Sequence, residues 1–258
     1  MNAAPRAVIF AGPSLPPALR PADPVLEWRP PVRQGELYQV AFSGPAVIGV
    51  IDGFFEVTPT VWHKEILWAM AQGIHVYGSA SIGALRAAEL HTFGMKGVGR
   101  IFAAYRDGIL SDDDEVAVLH GPEELGYPGV TEAMVNIRAT LDKAVAEGVL
   151  DGWLVAALSK IGKALFYKQR SWDAILQRAR VHGLPPMPLN DFTAWLPTGQ
   201  VAQKRLDALE MTAAIRAHLA NGVTPLTVSY RFQDTRYHNA AAQQFVQASS
   251  ARTMQAND

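Results

Sequence analysis

The 258-residue chain contains no cysteine, and this absence excludes several kinds of chemistry. Without cysteine there is no disulfide bond, no thiolate nucleophile and no cysteine-ligated zinc or iron–sulfur centre. His75, His91 and His120 stand isolated in the sequence, away from any metal-ligand spacing. We therefore expect neither a metal nor a cofactor, and any sulfur that takes part in the reaction must come from another molecule.

An excess of one charge is also missing. The chain has 23 Lys and Arg residues against 24 Asp and Glu residues, a net charge of −1, so it lacks the basic surplus typical of proteins that bind nucleic acid or anionic membranes. No stretch approaches the roughly 18 apolar residues of a membrane span, and the N-terminus does not resemble a signal peptide. We expect a cytoplasmic protein that binds neither nucleic acid nor membranes.

Phosphate-binding glycine motifs are absent as well. No Gly-x-Gly-x-x-Gly pattern follows the first apolar run, and there is no Walker lysine motif. The hypothesis of a nucleotide-binding domain therefore rests on analogy of fold alone. A titration with ATP or NAD would test this hypothesis.

What the chain does have is enough apolar material, 49% of its residues, for a large core. Apolar runs near residues 8, 48, 76 and 117 alternate with helical periodicity, including predicted helices at 60–71 and 94–108. Residues up to about 41 indicate a wrapping loop with a short helix at 35–40. This order predicts an α/β fold with a Rossmann-like, mostly parallel sheet in the N-terminal half.

The second half changes character, because helical patterns replace the apolar runs. Helices are predicted over residues 131–147, 151–167, 171–182 and 204–220, separated by glycine and proline. We divide the chain into an α/β core domain (1–125), a helical subdomain (126–222) and a C-terminal extension (223–258). In the extension, residues 227–232 can add one strand, and we expect the end to be disordered.

The most informative stretch is the turn Gly78-Ser79-Ala80-Ser81-Ile82-Gly83 between a strand and a helix. It approximates the Gly-x-Ser-x-Gly turn that exposes a nucleophilic serine, with Ser79 in place of the first glycine. Two interpretations stay open. Ser79 or Ser81 caps the helix, which contributes about 1 kcal/mol, or the turn holds a nucleophile or a ligand.

Other polar residues follow neighbouring strands. Ser14 and Asp52 end the first and second apolar runs, and ligands of open α/β sheets gather at the carboxyl ends of strands. Asp52 can also be a simple turn former in Asp-Gly. The acidic run at 112–115 is typical of a solvated loop, and no ligand spacing supports a magnesium site there.

Charged residues on two predicted helices complete the candidate set. Lys64, next to His63, can act as a general base if burial lowers its pKa, or it can extend its amine into solvent. Arg86 either pairs with Glu89, three residues on, or receives an anionic group.

Taken together, these stretches resemble the core domain of TfuA-like proteins. The resemblance covers about residues 7–120 and is carried by long, specific runs rather than generic Rossmann patterns, at residues 12–14, 51–55, 61–67, 77–89, 93–99, 105–108 and 113–117. The helical half is only loosely similar.

The resemblance implies an accessory role in peptide backbone thioamidation. TfuA-like proteins accompany YcaO-type enzymes, which use ATP to exchange an amide oxygen for sulfur, and they are associated with hydrolysing the C-terminal thiocarboxylate of a ThiS-type sulfur carrier protein. The implied partners are a YcaO-type enzyme, that carrier and a precursor peptide. The alternative is a noncatalytic docking protein that bridges these three, with Trp153, Trp172 and Trp195 as candidate anchors.

Thiocarboxylate hydrolysis is acyl transfer to water, which needs a nucleophile or activated water and donors for the oxyanion. We assign Ser81 as the attacking group, with Ser79 as the alternative, and Lys64 or His63 as the base that Asp52 orients. The N–H groups of Ile82 and Gly83 are the predicted oxyanion donors. The predicted binding set is Arg86, for the anionic end, with Ser14, Gly78, Gly83 and Glu89.

Overall fold

The computed structural model describes residues 6–54 and 58–233. Its centre is a five-stranded sheet in the order β2-β1-β3-β4-β5, in which every pair of neighbours is parallel. The strands are β1 (Ala7–Phe10), β2 (Leu26–Arg29), β3 (Val47–Val50), β4 (His75–Ser79) and β5 (Lys96–Val98). Strands β1, β3 and β4 are buried throughout, as a parallel sheet covered on both faces requires. The predicted Rossmann-like α/β fold is confirmed.

Helices cover both faces of this sheet, and a further group of helices packs around an apolar core of its own. They are α1 (Glu36–Phe42), α2 (His63–Ala71), α3 (Ile82–Leu90), α4 (Arg100–Arg106), α5 (Met134–Ala146), α6 (Gly152–Ala164), α7 (Trp172–Val181), α8 (Pro186–Gly199) and α9 (Gln203–Ala220). Helices α1 to α4 pack on one face, and α9 packs on the other. Helices α5 to α8 have an apolar core of their own. Helix α9 therefore returns from the helical half to the sheet.

Several predicted elements differ from the structure. The prediction of a strand near residue 117 is wrong, because residues 113–115 form a 3₁₀ turn and the segment after this turn forms no strand. The strand at 227–232 is also wrong. Strands β2 and β5 lie where a loop and the start of a helix were predicted, since these edge strands contain charged residues, are only partly buried and so lack an apolar run. Helix α8 was missed because its prolines were taken as breaks, although Pro186 occupies the first turn, where no N–H is needed.

Residues 234–258, with the predicted disordered end, lie outside the described residues. The division at 125/126 stays a prediction. None of the described helices combines the length and apolar character needed to cross a bilayer.

Helix α2 begins at His63 rather than at Thr60, because Glu65 organises its start. The buried carboxylate accepts hydrogen bonds from the N–H of Trp62 (3.1 Å) and from that of Gly35 (2.8 Å), which caps α1. Burial raises the pKa of Glu65 from 4.5 to about 7, against the opposing effect of its backbone hydrogen bonds. Glu65 therefore joins two helix starts and titrates near neutral pH.

This raised pKa predicts a pH-dependent stability. Between about pH 4.5 and 7 the folded chain holds a proton on Glu65 that the unfolded chain has lost, so the free energy of unfolding should fall as pH rises through this window. Urea unfolding of wild type and Glu65→Gln from pH 4.5 to 8 tests it. The Gln variant should lack this slope, whereas Glu124→Gln, at an exposed position, should retain it. An equal slope in the Glu65 variant would contradict the assignment.

Two glycines let α3 approach the sheet. A Cβ at Gly83 would lie 1.8 Å from the carbonyl oxygen of Val50, and one at Gly78 would lie 2.1 Å from that of Gly83. Backbone at such distances cannot accommodate a methyl group, so the start of α3 is held against β3 and β4 only because both residues lack side chains.

Gly83→Ala should therefore destabilise the protein by about 2–3 kcal/mol, the cost of forcing a methyl group into packed backbone. Chemical denaturation measures this loss. Gly152→Ala is the matched control, because no atom lies within 4 Å of its added methyl group, and we expect no loss there. Similar stabilities of the two variants would show that α3 can move away from the sheet.

Candidate active site

A cleft of about 850 Å³ opens at the carboxyl end of the sheet. Its walls come from the strand ends, from the start of α3, from the loop at 111–120 and from the helical half. The lining residues used below are Asp52, Ser81, Ile82, Arg86, Glu89, Val116, Val118 and Lys204, and Tyr167 and Lys168 face them from the helical half. The cleft is thus shared by the two halves of the chain.

Ser81 occupies the N-cap position of α3 and lines this cleft. Its carbonyl accepts the N–H groups of Ala84 (2.9 Å) and Leu85 (3.4 Å), but its hydroxyl makes no capping hydrogen bond. Ser81 is 9% exposed. At this position the hydroxyl oxygen of a serine normally accepts a hydrogen bond from a helix N–H group. Because that bond is not made here, the oxygen can contact a ligand in the cleft.

The turn before Ser81 is strained. The N–H of Ser81 donates to the carbonyl of Ser79 over 2.7 Å, which makes Ala80 the centre of a γ-turn with a φ of 65°. This left-handed conformation is uncommon for a residue with a side chain, and strained backbone of this kind clusters at functional sites. The turn places two serines, only two positions apart, in different surroundings.

Ser79 lies outside the cleft. Its fully buried hydroxyl is 2.8 Å from the carbonyl of Val98, on β5, and 2.9 Å from that of Asp207, on α9. One proton serves both acceptors, so the hydroxyl is committed to holding β4 against its neighbours. The structure therefore separates Ser79 from the other candidates and leaves Ser81 facing the cleft.

Gly78 and Gly83 do not line the cleft either. The N–H of Gly83, one of the two predicted oxyanion donors, donates to the carbonyl of Ile51 over 3.3 Å. The other predicted donor differs, because no residue of 6–54 or 58–233 accepts a hydrogen bond from the Ile82 N–H. Ile82 is thus the donor that the start of α3 offers to a ligand.

Asp52 and Ser14 meet at the sheet edge, as expected from their places after β3 and β1. One carboxylate oxygen of Asp52 accepts the N–H groups of Gly12 (2.9 Å) and Ser14 (3.0 Å), and the other accepts the Ser14 hydroxyl at 2.6 Å. Asp52 is therefore engaged in holding the loop after β1. It lines the cleft, whereas Ser14 lines a neighbouring pocket.

Arg86, Glu89 and His63 form an ion-pair cluster at the cleft. Arg86 donates to a Glu89 carboxylate oxygen (2.7 Å) and to the carbonyl of Val61 (3.1 Å), and the same Glu89 oxygen lies 2.7 Å from His63 Nε2. Arg86 and Glu89 line the cleft, but His63 and Lys64 lie on the exposed side of α2 and do not. Both bases assigned from sequence therefore lie outside it.

Lys204, in the first turn of α9, is a buried cleft residue that sequence reasoning missed. It is 3% exposed, and its Nζ donates to the carbonyl of Val116 over 2.8 Å. A signal existed in the sequence, because Lys204 precedes Ala208, Met211 and Ile215 at helical spacing and so lies on the apolar stripe of its helix.

The acidic run at 112–115 is solvated only in its first half, because Asp112 and Asp113 are exposed whereas Asp114 and Glu115 are more buried and form ion pairs. Asp114 pairs with Arg170 (2.6 Å) and Lys163, and Glu115 pairs with Arg138 at 2.9 and 3.0 Å. Burial would raise the pKa of Asp114, but hydrogen bonds from the two cations lower it below its ordinary value. These pairs tie the cleft loop to α5, α6 and the residues before α7. In the described part of the chain no group of three or more His, Cys, Asp or Glu side chains is arranged to hold a metal ion.

Comparison with known families gives one match. Residues 52–171 match the family model described as TfuA-like protein, and no curated protein matches the chain. The matched range starts at the end of β3, spans the turn with Ser81 and the acidic loop, and ends at the start of α7. The family region therefore begins later than the resemblance at 7–120 and includes α5 and α6 of the helical half.

Proposed function

We propose that this chain, whose residues 52–171 match the TfuA-like family, serves a YcaO-type enzyme in thioamide formation by releasing sulfide from a sulfur carrier. The substrate is a ThiS-type carrier whose C-terminus is a thiocarboxylate. Hydrolysis returns the carboxylate form of the carrier, and the sulfide passes to the YcaO-type enzyme, which places it in the backbone of a precursor peptide.

One observation carries the hydrolytic part of the proposal. Ser81 lines a cleft of about 850 Å³, its hydroxyl makes no capping hydrogen bond, and it follows a strained turn at Ala80. A nucleophilic serine needs such a position in the wall of a substrate cleft and such freedom from structural hydrogen bonds.

The proposed chemistry is a two-step acyl transfer. Ser81 Oγ attacks the thiocarboxylate carbon, the C–S bond breaks, and hydrosulfide leaves. Water then attacks the acyl-serine ester, restoring the serine and forming a carboxylate. The Ile82 N–H, at the positive end of α3, stabilises the oxyanion of each tetrahedral intermediate. The net change is thiocarboxylate plus water to carboxylate, hydrosulfide and a proton.

The cation at the cleft suits an anionic chain end. Arg86 is held by Glu89 and by the Val61 carbonyl, with its side chain 12% exposed. A fixed guanidinium of this kind recognises carboxylate-like groups with little loss of entropy on binding.

The experiment is direct. The purified protein is incubated with a thiocarboxylated carrier, while sulfide is trapped and the carrier is followed by mass spectrometry for replacement of sulfur by oxygen. We expect stoichiometric sulfide and carboxylate at a rate well above that of a buffer control. Release no faster than the spontaneous rate would refute the enzymatic proposal.

The docking alternative has its own support in Trp153, which is 56% exposed on α6. An exposed tryptophan is a common anchor of protein interfaces. In this alternative, thioamidation supplied with free sulfide still depends on the protein, is unaffected by Ser81→Ala and is lost in Trp153→Ala. The hydrolase proposal predicts that free sulfide bypasses the protein.

A further inference from the structure

We propose that Lys204 is the catalytic base of the cleft: its neutral amine takes the proton of the Ser81 hydroxyl during attack and returns it to the departing sulfur. This inference rests on the proposed hydrolase function and supplies the base that neither His63 nor Lys64 can provide from outside the cleft.

The first support is the position of the amine. Lys204 and Ser81 both line the cleft, and Lys204 together with Pro13 and Val118 also separates it from a second pocket of about 420 Å³. The Lys204 N–H donates to the side-chain oxygen of Asn136 over 3.1 Å, which fixes the start of α9 against α5. The amine is therefore held at the wall of the cleft by a braced backbone.

The second support is what surrounds the amine. An ammonium group has three donors, but in the described part of the chain the Nζ of Lys204 has one hydrogen-bond acceptor, the Val116 carbonyl, and no carboxylate within 4.0 Å. The positive end of the α9 dipole also disfavours a cation in this first turn. A buried cation with so few partners is costly, which favours the neutral amine.

The charges near Lys204 come from several elements. The negative charges of Asp52, which follows β3, and Glu132, which precedes α5, both favour protonation of the Lys204 amine. Burial outweighs them and lowers the pKa of Lys204. The other charged or titratable groups lining the cleft are Arg86, Glu89, Asp112, Asp113, His120, Tyr167 and Lys168, and Arg205 lies beside Lys204 in the second pocket.

The proton balance closes over the two steps. As Ser81 Oγ bonds to the acyl carbon, its proton moves to Nζ, directly or through one water molecule, and the ammonium offsets the charge of the tetrahedral intermediate. The C–S bond then breaks and the proton leaves with sulfur as hydrosulfide. In the second step Lys204 takes a proton from water and returns it to the serine oxygen. No oxidant or reductant is needed.

Two measurements test this assignment. The first uses protein labelled with ¹³C- and ¹⁵N-lysine, in which the Lys204 signal is identified by its absence from the Lys204→Arg variant. Its titration should have a midpoint well below the ordinary lysine value of 10.5. A midpoint at or above that value would overturn the proposal, and the titration itself is measured on the wild-type protein without any assay of activity.

The second measurement is the pH profile of sulfide release. In the wild type kcat/KM should rise with pH as Lys204 loses its proton. Lys204→Met should lower it by about 100-fold or more, the usual contribution of a general base, and remove this ionisation. Lys204→Arg should be equally impaired, because a guanidinium keeps its proton at these pH values. Lys160→Met, at an exposed position on α6, is the matched control and should behave as wild type.

The outcomes separate the two proposals. Sulfide release that survives in Lys204→Met with an unchanged pH profile would refute the base and leave the hydrolase intact. An active Lys204→Arg variant would mean that a fixed positive charge suffices, which also refutes the base. Wild type without activity would refute the hydrolase, and the base with it.

Discussion

Ser81→Ala should lower sulfide release from a thiocarboxylated carrier by about 1,000-fold or more, while the protein keeps its stability. Loss of a catalytic nucleophile has effects of this size or larger. The free energy of unfolding should change by less than about 0.5 kcal/mol, because the Ser81 hydroxyl makes no capping hydrogen bond that the substitution could remove. Single-turnover kinetics and urea unfolding, measured on the same preparations, give both values.

Two other serines are controls for this prediction. Ser171 is a true N-cap, whose hydroxyl accepts the Ala174 N–H over 3.2 Å, so Ser171→Ala should cost about 1 kcal/mol and leave turnover unchanged. Ser79→Ala should also destabilise, since it removes a buried hydrogen-bond donor to the Val98 and Asp207 carbonyls.

The opposite pattern would contradict the assignment. If Ser81→Ala kept its turnover and lost about 1 kcal/mol of stability, Ser81 would be a helix cap whose hydrogen bond forms in solution. If Ser79→Ala abolished turnover without loss of stability, the nucleophile would be on the other side of the turn. Either result would show that Ser81 is not the reacting group.

Arg170→Met should destabilise the protein by about 3–5 kcal/mol, because it leaves three carbonyl groups around a fully buried side chain without their donor and removes one partner of the half-buried Asp114. Arg170 has no exposed surface and donates to four acceptors, namely the carbonyls of Gly162 (3.0 Å), Leu165 (3.1 Å) and Asp114 (2.9 Å) and the carboxylate of Asp114 (2.6 Å). Methionine fills much of the same space, so the loss reports the broken hydrogen bonds rather than a cavity.

The control is an ion pair of similar geometry at the surface. Arg106 donates to Asp107 at 2.8 and 3.1 Å, but both side chains are exposed, so Arg106→Met should leave the free energy of unfolding close to the wild-type value. Urea unfolding of the two variants compares them. Equal effects would mean that the Asp114 pair does not hold the two halves together.

The Arg170 variant should also affect the cleft. Asp114 belongs to the loop at 111–120, which lines the cleft with residues such as Val116, the acceptor of the Lys204 amine. Once that loop is released, we expect a higher KM for the carrier even at temperatures where the variant remains folded. The ion pairs thus connect the stability of the helical half to the shape of the site.

Much of the fold could be predicted from local pattern. The uninterrupted apolar runs that became β1 and β3 have no polar face, as expected of parallel strands that are covered on both sides. The pattern failed at the short edge strands and at the acidic run. A run of such acidic density is usually solvated, but Asp114 pairs with Lys163 and Arg170, which are 49 and 56 residues away.

The same division applies to the site. The sequence by itself determined where a site would lie, because a strand that ends in small residues and passes directly into a helix presents backbone N–H groups and hydroxyls at one edge of a sheet. It also determined that the chain has no thiol to contribute, so that any sulfur chemistry at this site would have to use sulfur from another molecule. Only the tertiary structure decided which serine faces the cleft, because the γ-turn at Ala80 places Ser79 against β5 and α9 and leaves Ser81 outside that packing. Only the return of α9 to the sheet brought Lys204 to the same cleft, because contacts between residues more than a hundred positions apart depend on the packed core and not on local sequence.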